Sequence, residues 1–285
     1  MSKTATVLTH RRPTETGPAL KVLMEVAAAA DTTLRFDEAE VAKHALEPAD
    51  GLELGVPDDP GVDICFALGG DGTILTALRN YAGTGVPVFG VNYGEVGFLA
   101  AADRDRARDG FERALAGEFD VYPLPGIRLH GMTGDWIAIN DVAIQRQRGQ
   151  RVANLAYSIG GEEVGRLRCD GLVVATPAGS TGYNLANGGP VMAWGVEGFV
   201  VSFIAPHSLT ARPLVVAPAD RLMIHNLSHD EAVDVAIDGR PVLELAPGSV
   251  IEAGFVDGQG MLAQLPGANF YKRLNEKFGR LATLP

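Results

Sequence analysis

The first 120 residues consist of near-continuous apolar runs separated by segments with apolar residues at helical spacing. TATVLTH (4–10), VDICFAL (62–68) and VPVFGVN (86–92) are the apolar runs. They predict first, second and third strands. GPALKVLMEVAAAA (17–30), TILTALRNYA (73–82) and RDRARDGFERALAG (104–117) predict helices between and after them. Strands that are apolar throughout have no solvent face, and their alternation with helices predicts a parallel sheet covered on both sides.

Near residue 120 the period changes to two. FDVYPLPGIRLHG, WIAINDVAIQR, NLAYSIGG, LRCDGLVVATP, GFVVSFIAP, RPLVVAP, RLMIHNL, AVDVAIDGRPVLEL and SVIEAGFV alternate apolar with other residues, punctuated by Gly, Pro, Asp and Asn. That texture predicts antiparallel β structure. Asp238-Gly239 is the dipeptide favoured by type I′ hairpin turns. ANFYKRLNEKFGRL closes the chain as a short helix. The predicted organisation is an α/β domain over 1–120, with 266–285 packing back on it, and a β-rich, mostly antiparallel domain over 121–265.

Composition narrows the partners. The 285-residue chain carries a formal charge of −11, which argues against a sequence-independent grip on nucleic acid or an anionic membrane. It has no apolar stretch of about 18 residues and no secretory apolar segment, so cytoplasmic residence is expected. Two cysteines, Cys65 and Cys169, read as reduced thiols. No lysine lies between Lys43 and Lys272, and no lysine-bearing phosphate loop is present.

Three stretches carry candidate chemistry. FALGGDGTIL (66–75) ends an apolar strand on Gly69, Gly70, Asp71, Gly72 and Thr73 and then begins a helix. Glycines let a backbone approach a ligand closely, and a helix N-terminus favours an anion such as phosphate. A plain strand-to-helix turn would use the same glycines for geometry alone. Asp71 would repel a phosphate there unless it takes a proton or holds Mg²⁺ through water. In CDGLVVATPAGSTGYNLANGGP (169–190), a strand ends at Pro177, Ser180 reads as an N-cap, and one or two helical turns stop at Gly188, Gly189 and Pro190. This is a second candidate anion or ribose cradle, or simply a β-to-helix corner. Tyr183 suits stacking on a base or packing under the helix. In NDVAI (140–144), Asn140 and Asp141 interrupt an apolar run, which is costly unless they are paired or functional.

Together and in this order, GGDGT, NDVAI and DGLVVATPAGSTGY…GGP resemble the bacterial NAD kinases, which use ATP to phosphorylate the 2′-hydroxyl of NAD. APHSLTARPLVV (205–216) and VAIDGRP (235–241) extend the resemblance, which runs from about Val62 to Leu265. GGDGT is shared with lipid and phosphofructokinase-type enzymes; the other motifs are more specific. The resemblance implies ATP as phosphoryl donor with Mg²⁺ or another divalent cation, and a homodimer or homotetramer with shared active sites. By that likeness Asp71 lies beside the 2′-hydroxyl as general base, within a nucleotide-binding turn formed with Gly69, Gly70, Gly72 and Thr73. Asn140 and Asp141 match the pair that hydrogen-bonds the dinucleotide. Ser180, Thr181, Gly182 and Tyr183 match the segment at its adenosine. Asp170 and Ala205 match positions that reach a neighbouring subunit's site, and Phe98 matches an aromatic at the family's cleft.

The chain departs from the common TPTGSTAY form at Ala178 and Gly182, and GEVGF carries Glu95 and Val96 in a variable loop. These changes bear on the choice between NAD and NADH more than on the reaction. QRQRGQR (145–151) reads as a solvated hairpin loop or a phosphate clamp, and the HNLSH histidines (225–229) sit in strand-and-turn texture ill suited to a metal. Two other classes share parts of this pattern. A lipid kinase would add an apolar groove or basic membrane-facing helix, and a non-catalytic nucleotide sensor would lose the loop carboxylate.

Overall fold

A computed structural model describes residues 3–94, 97–131 and 134–279; Glu95 and Val96 of the variable loop lie outside these. The chain divides into two compact units. One comprises residues 1–123 and 260–285, the other 124–259.

The first unit opens with β1 (Lys3–Thr9), α1 (Pro13–Ala29), β2 (Thr32–Phe36), α2 (Glu38–His44) and β3 (Leu52–Leu54). It continues with β4 (Ile64–Gly69), α3 (Asp71–Asn80), β5 (Pro87–Asn92), β6 (Ala102–Asp103) and α4 (Ala107–Ala116). The strands pair in parallel in the order β3-β2-β1-β4-β5. The apolar runs are buried as their composition requires: every residue of β4 is buried, and Phe66, Phe89 and Phe111 meet edge to face around the core. The chain leaves β1 toward β2 on one side, while β4 lies on the other. The sheet's switch point therefore falls between β1 and β4, the place where such folds bind ligands at the carboxyl ends of the strands.

Two features depart from the apolar pattern. VDICFAL is the fourth strand, because TTLRF and Leu52–Leu54 add strands at the edge; their alternation is too short to register as a period. The first helix begins at Pro13 rather than residue 17, since proline fits the first helical position, where no N–H is needed.

In the second unit the chain forms β7 (Asp120–Gly131), β8 (Gly134–Ala138), β9 (Asp141–Arg146), β10 (Ala153–Ile159), β11 (Glu162–Cys169) and β12 (Gly171–Ala175). A short α5 (Tyr183–Ala186) precedes β13 (Phe199–Ile204), β14 (Leu214–Val216), β15 (Arg221–Asn226), β16 (Val233–Ile237), β17 (Arg240–Leu245) and β18 (Val250–Gln264). One antiparallel sheet runs β14-β13-β12-β9-β16-β17, and β11-β10-β15 pair antiparallel with the start of β18. Alternate residues of both sheets enter one core that includes Val142, Ile144, Leu172, Val174, Phe199, Val201, Leu222, Ile224 and Val235. The last residues of β18, Met261–Ala263, pair in parallel with β5 in the first unit, and α6 (Phe270–Phe278) follows.

The Asp238-Gly239 turn has φ of 48° and 75°, the two positive values of a type I′ hairpin. WIAINDVAIQR and LRCDGLVVATP each break into two strands, at Ile139–Asn140 and at Asp170.

Packing of α3 against β5 relies on Gly90. A Cβ there would overlap Ile74 Cδ1 and stand 2.8 Å from its Cγ1, and Ile74 is fully buried. Gly90→Ala is expected to cost about 1–3 kcal/mol by overpacking, read as a lower urea midpoint. A midpoint unchanged from wild type would show that this contact yields freely.

Candidate functional site

In the first unit β4 delivers the chain to Gly69 at the sheet's switch point, and α3 starts two residues later. Gly70 is the N-cap, and Asp71 is the first helical residue rather than part of a free loop. The three glycines have different reasons to be glycine. A Cβ on Gly69 would overlap the Thr73 hydroxyl and stand 2.7 Å from Thr73 Cβ. A Cβ added to Gly70 or Gly72 would meet nothing within 4 Å beyond the adjoining backbone, and neither needs a left-handed φ. Packing does not demand glycine at those two positions; they leave bare backbone facing open space at a helix N-terminus, the setting in which a phosphate is held.

The Asp71 carboxylate is gripped by the next loop. The Phe98 N–H donates to Oδ2 at 2.8 Å and the Leu99 N–H to Oδ1 at 3.1 Å. Gly97 makes this approach possible, since a Cβ there would overlap Asp71 Oδ1. Each carboxylate oxygen keeps a further lone pair for a ligand proton. The Phe98 ring, read from sequence as an aromatic at a cleft, is buried. It packs 5.9 Å from the Phe270 ring and 5.7 Å from the Phe278 ring, with Lys277 Nζ 4.9 Å from its centroid.

The second unit builds its constellation around Asp238. Its carboxylate accepts the N–H groups of Ile139 (3.1 Å), Asn140 (2.8 Å) and Asp141 (3.1 Å). These donors turn toward the hairpin, which is why the strand predicted across them breaks. Thr176, fully buried, donates its hydroxyl to Ile139 O and accepts from the Gly179 N–H. A Cβ on Gly179 would overlap Asn140 O, so residues 176–179 and 139–141 are locked backbone to backbone. Ser180 is not an N-cap: its buried hydroxyl donates to Pro177 O at 2.7 Å and accepts from the Met192 N–H at 2.9 Å. Gly182 caps α5 instead, without a side-chain bond. Thr181 is half-buried and Gly182 exposed. The Tyr183 hydroxyl pairs with the Gln145 amide, and its ring packs against a core patch that includes Ala143 and Met192.

Two polar groups in this frame lack what their burial requires. Asn140 Oδ1 is buried with no hydrogen-bond partner among the described residues, an unsatisfied acceptor. Burial, with the Asp238 charge adding to it, pushes the Asp141 carboxyl up to about 7. Asp170, half-exposed between β11 and β12, accepts from Arg146 Nε at 2.5 Å. Ala205 is exposed just past β13, with a φ of 43° rare for alanine. Of the QRQRGQR arginines, Arg146 is held by Asp170 and Arg148 is exposed. Asp238, Thr176 and Gln145 escaped the sequence reading. Asp238 was visible there only as a turn residue, because what its carboxylate accepts is set by a strand about a hundred positions away.

The Asp141 carboxyl titrates from an ordinary 3.8 in the unfolded chain to about 7 when folded. The folded state keeps its proton longer, so this contribution to stability is complete below pH 4 and is lost as pH rises to 7. Asp141→Asn should remove that component. Urea midpoints at pH 4.5 and 7.5 should differ less in the variant than in wild type; an unchanged difference would contradict the assignment.

Known proteins place the chain. The profile described as ATP-NAD kinase N-terminal domain matches residues 7–119, and that described as ATP-NAD kinase C-terminal domain matches 139–256. The N-terminal match takes in the stretch before Val62, where the motifs gave no resemblance. The NAD kinase of Gemmatimonas aurantiaca is 33% identical over 282 residues, covering 96% of this chain and 94% of its own. The NAD kinase of Symbiobacterium thermophilum is 36% identical over 257 residues, covering 84% and 89%. Yeast NADH kinase, solved with NADH, shares the fold with a TM-score of 0.85 at 21% identity, covering 99% of this chain and 89% of its own. An NAD kinase from Archaeoglobus fulgidus, solved in complex with ATP, has a TM-score of 0.72 at 25% identity and covers 97% of each chain. Two family profiles in tandem and full-length relatives above 30% identity agree with the glycine turn and the Asn140–Asp141 frame: the chain belongs to the NAD kinase family.

Proposed function

We propose that this protein transfers the γ-phosphoryl group of ATP to the 2′-hydroxyl of the adenosine ribose of NAD, giving NADP, with Asp71 as the proton acceptor. The observation that carries this reading is the Asp71 carboxylate itself. Two backbone N–H groups fix it at a helix N-terminus beside open glycine backbone, and each oxygen keeps a free lone pair. Phosphoryl transfer asks the protein for alignment, charge neutralisation and a late proton acceptor. Gly70 and Gly72 offer backbone N–H groups to phosphate, and Asp71 takes the proton of the attacking hydroxyl. Asn140 Oδ1 accepts from the dinucleotide, Asp141 offers a carboxyl still partly protonated near neutrality, and Thr181, Gly182 and Tyr183 line its adenosine. Ser180 and Thr176 position that turn from beneath.

The divalent cation is assigned to the donor, as magnesium–ATP, which leaves the Asp71 oxygens to take a proton. Bound there, it would neutralise charge on the transferring phosphate. A lipid kinase reading has only the glycine turn in its favour, and a non-catalytic sensor would not need the held carboxylate. Cytoplasmic residence is supported by two unpaired buried cysteines, and no helix among the described residues is long and apolar enough to cross a membrane.

Asp71→Asn should lower turnover in NADP formation by roughly two to four orders of magnitude, the usual contribution of a general base. NAD binding by calorimetry should change far less. Turnover near wild type would end the proton-acceptor role.

Homo-oligomers with composite sites complete the proposal, with Asp170 and Ala205 serving a neighbour. Asp71→Asn and Asp170→Asn should each be weak alone. Co-expressed with random pairing, they should regain about a quarter of wild-type activity, since half the pairs are mixed and half of their sites intact. No recovery in mixed oligomers would place both residues in one subunit's site.

A further inference from the structure

The grip on Asp71 has a second layer. Gln264, the last residue of β18, is fully buried. Its Nε2 donates to the Leu99 carbonyl at 2.9 Å, and its Oε1 accepts from Arg273 Nη2 of α6 at 2.5 Å. The N–H of the same residue, on the other side of its Cα, donates to Asp71 Oδ1 at 3.1 Å. Hydrogen bonds joined by the Leu99 backbone thus link Arg273, Gln264, Leu99 and Asp71, through a side chain with no solvent contact.

A glutamine is an economical choice for the middle of this path. Its neutral amide donates to a carbonyl on one side and accepts from a guanidinium on the other. With both ends engaged the amide cannot flip, so the Leu99 carbonyl has one fixed donor, the 99–100 peptide plane is held, and with it the Leu99 Cα on which the donating N–H is carried. Arg273 is not primarily an ion-pair residue. Burial pushes its pKa down, and the charges of Asp103, Asp71 and Glu276 push it back up, so it senses the Asp71 carboxylate while bonded to an amide.

We propose that Gln264 and Arg273 are positioning residues for phosphoryl transfer: they hold the Leu99 backbone so that the Asp71 carboxylate faces the attacking hydroxyl. This rests on the reading of Asp71 as proton acceptor. The C-terminal helix, which no motif marked as functional, is thereby coupled to the orientation of the base. A misplacement of about 1 Å at a reacting group costs up to about 100-fold in rate. Loss of the path should therefore appear in kcat.

The test is steady-state kinetics of the full-length protein with NAD and magnesium–ATP. Gln264→Leu should lower kcat about 10- to 100-fold and leave both KM values within about twofold, and Arg273→Met should lower kcat by a smaller factor in the same way. Arg273→Lys, which keeps a donor for Oε1, should recover most of the rate. In an Asp71→Asn background, Gln264→Leu and Arg273→Met should produce no further loss, because their effect passes through Asp71. If Gln264→Leu does not fold, judged by circular dichroism, the Arg273 pair and its combination with Asp71→Asn decide. Folded variants with wild-type kcat, KM changes without a kcat change, or a full additional loss on top of Asp71→Asn would each overturn the proposal. Failure of the underlying reading looks different: Asp71→Asn itself would then be active.

Discussion

Carboxylates clasped by backbone N–H groups are the interaction on which both units of this protein depend. Asp71 is held by the N–H groups of Phe98 and Leu99, and Asp238 by those of Ile139, Asn140 and Asp141. Charge-assisted bonds of this kind are short and directional. Each fixes a loop that the regular hydrogen-bond ladder cannot reach. In the first unit the clasp sets the orientation of the Asp71 carboxylate. In the second it sets the path of the backbone that carries Asn140 and Asp141. Asp238 can do this because a type I′ turn brings its carboxylate back across the start of β9.

The clasps also explain the distribution of glycine around the site. Gly97 and Gly179 are required because a Cβ would overlap Asp71 and the Asn140 backbone. Gly70 and Gly72 are required by no neighbour and no backbone angle; under the proposed function they leave room for phosphate. The lysine-free stretch from 44 to 271 fits this division of labour. Under the proposed function, helix N-terminal N–H groups and the donor's cation would take the phosphate charge, while the carboxylate in the turn would accept the proton.

Much of the fold was legible because burial imposes a period. All-apolar runs became the central parallel strands β1, β4 and β5, and alternating segments became the antiparallel sheets. The outer strands β2 and β3 were not legible, since five and three residues give too few alternations. The strand breaks at 139–140 and at 170 were hidden for another reason: apolar patterning continues through them while the hydrogen bonds turn elsewhere. At the site, motif residues stood out as polar or glycine positions inside apolar runs. Their supports did not. Asp238 read as a turn residue, Ser180 as a helix cap, and Gln264 fell outside every predicted element. What each does depends on partners 12 to 165 positions away in the chain. Local pattern carries no record of such distances.

The assignment of the adenosine 2′-hydroxyl as the acceptor is tested most directly by phosphorus NMR of the product formed from NAD and magnesium–ATP by the purified protein. The expected result is one new phosphomonoester resonance, coupled to the 2′ proton of the adenosine ribose, and no ATP consumption with NAD lacking that hydroxyl. A phosphomonoester at any other position, or ATP turnover with the deoxy analogue, would contradict it.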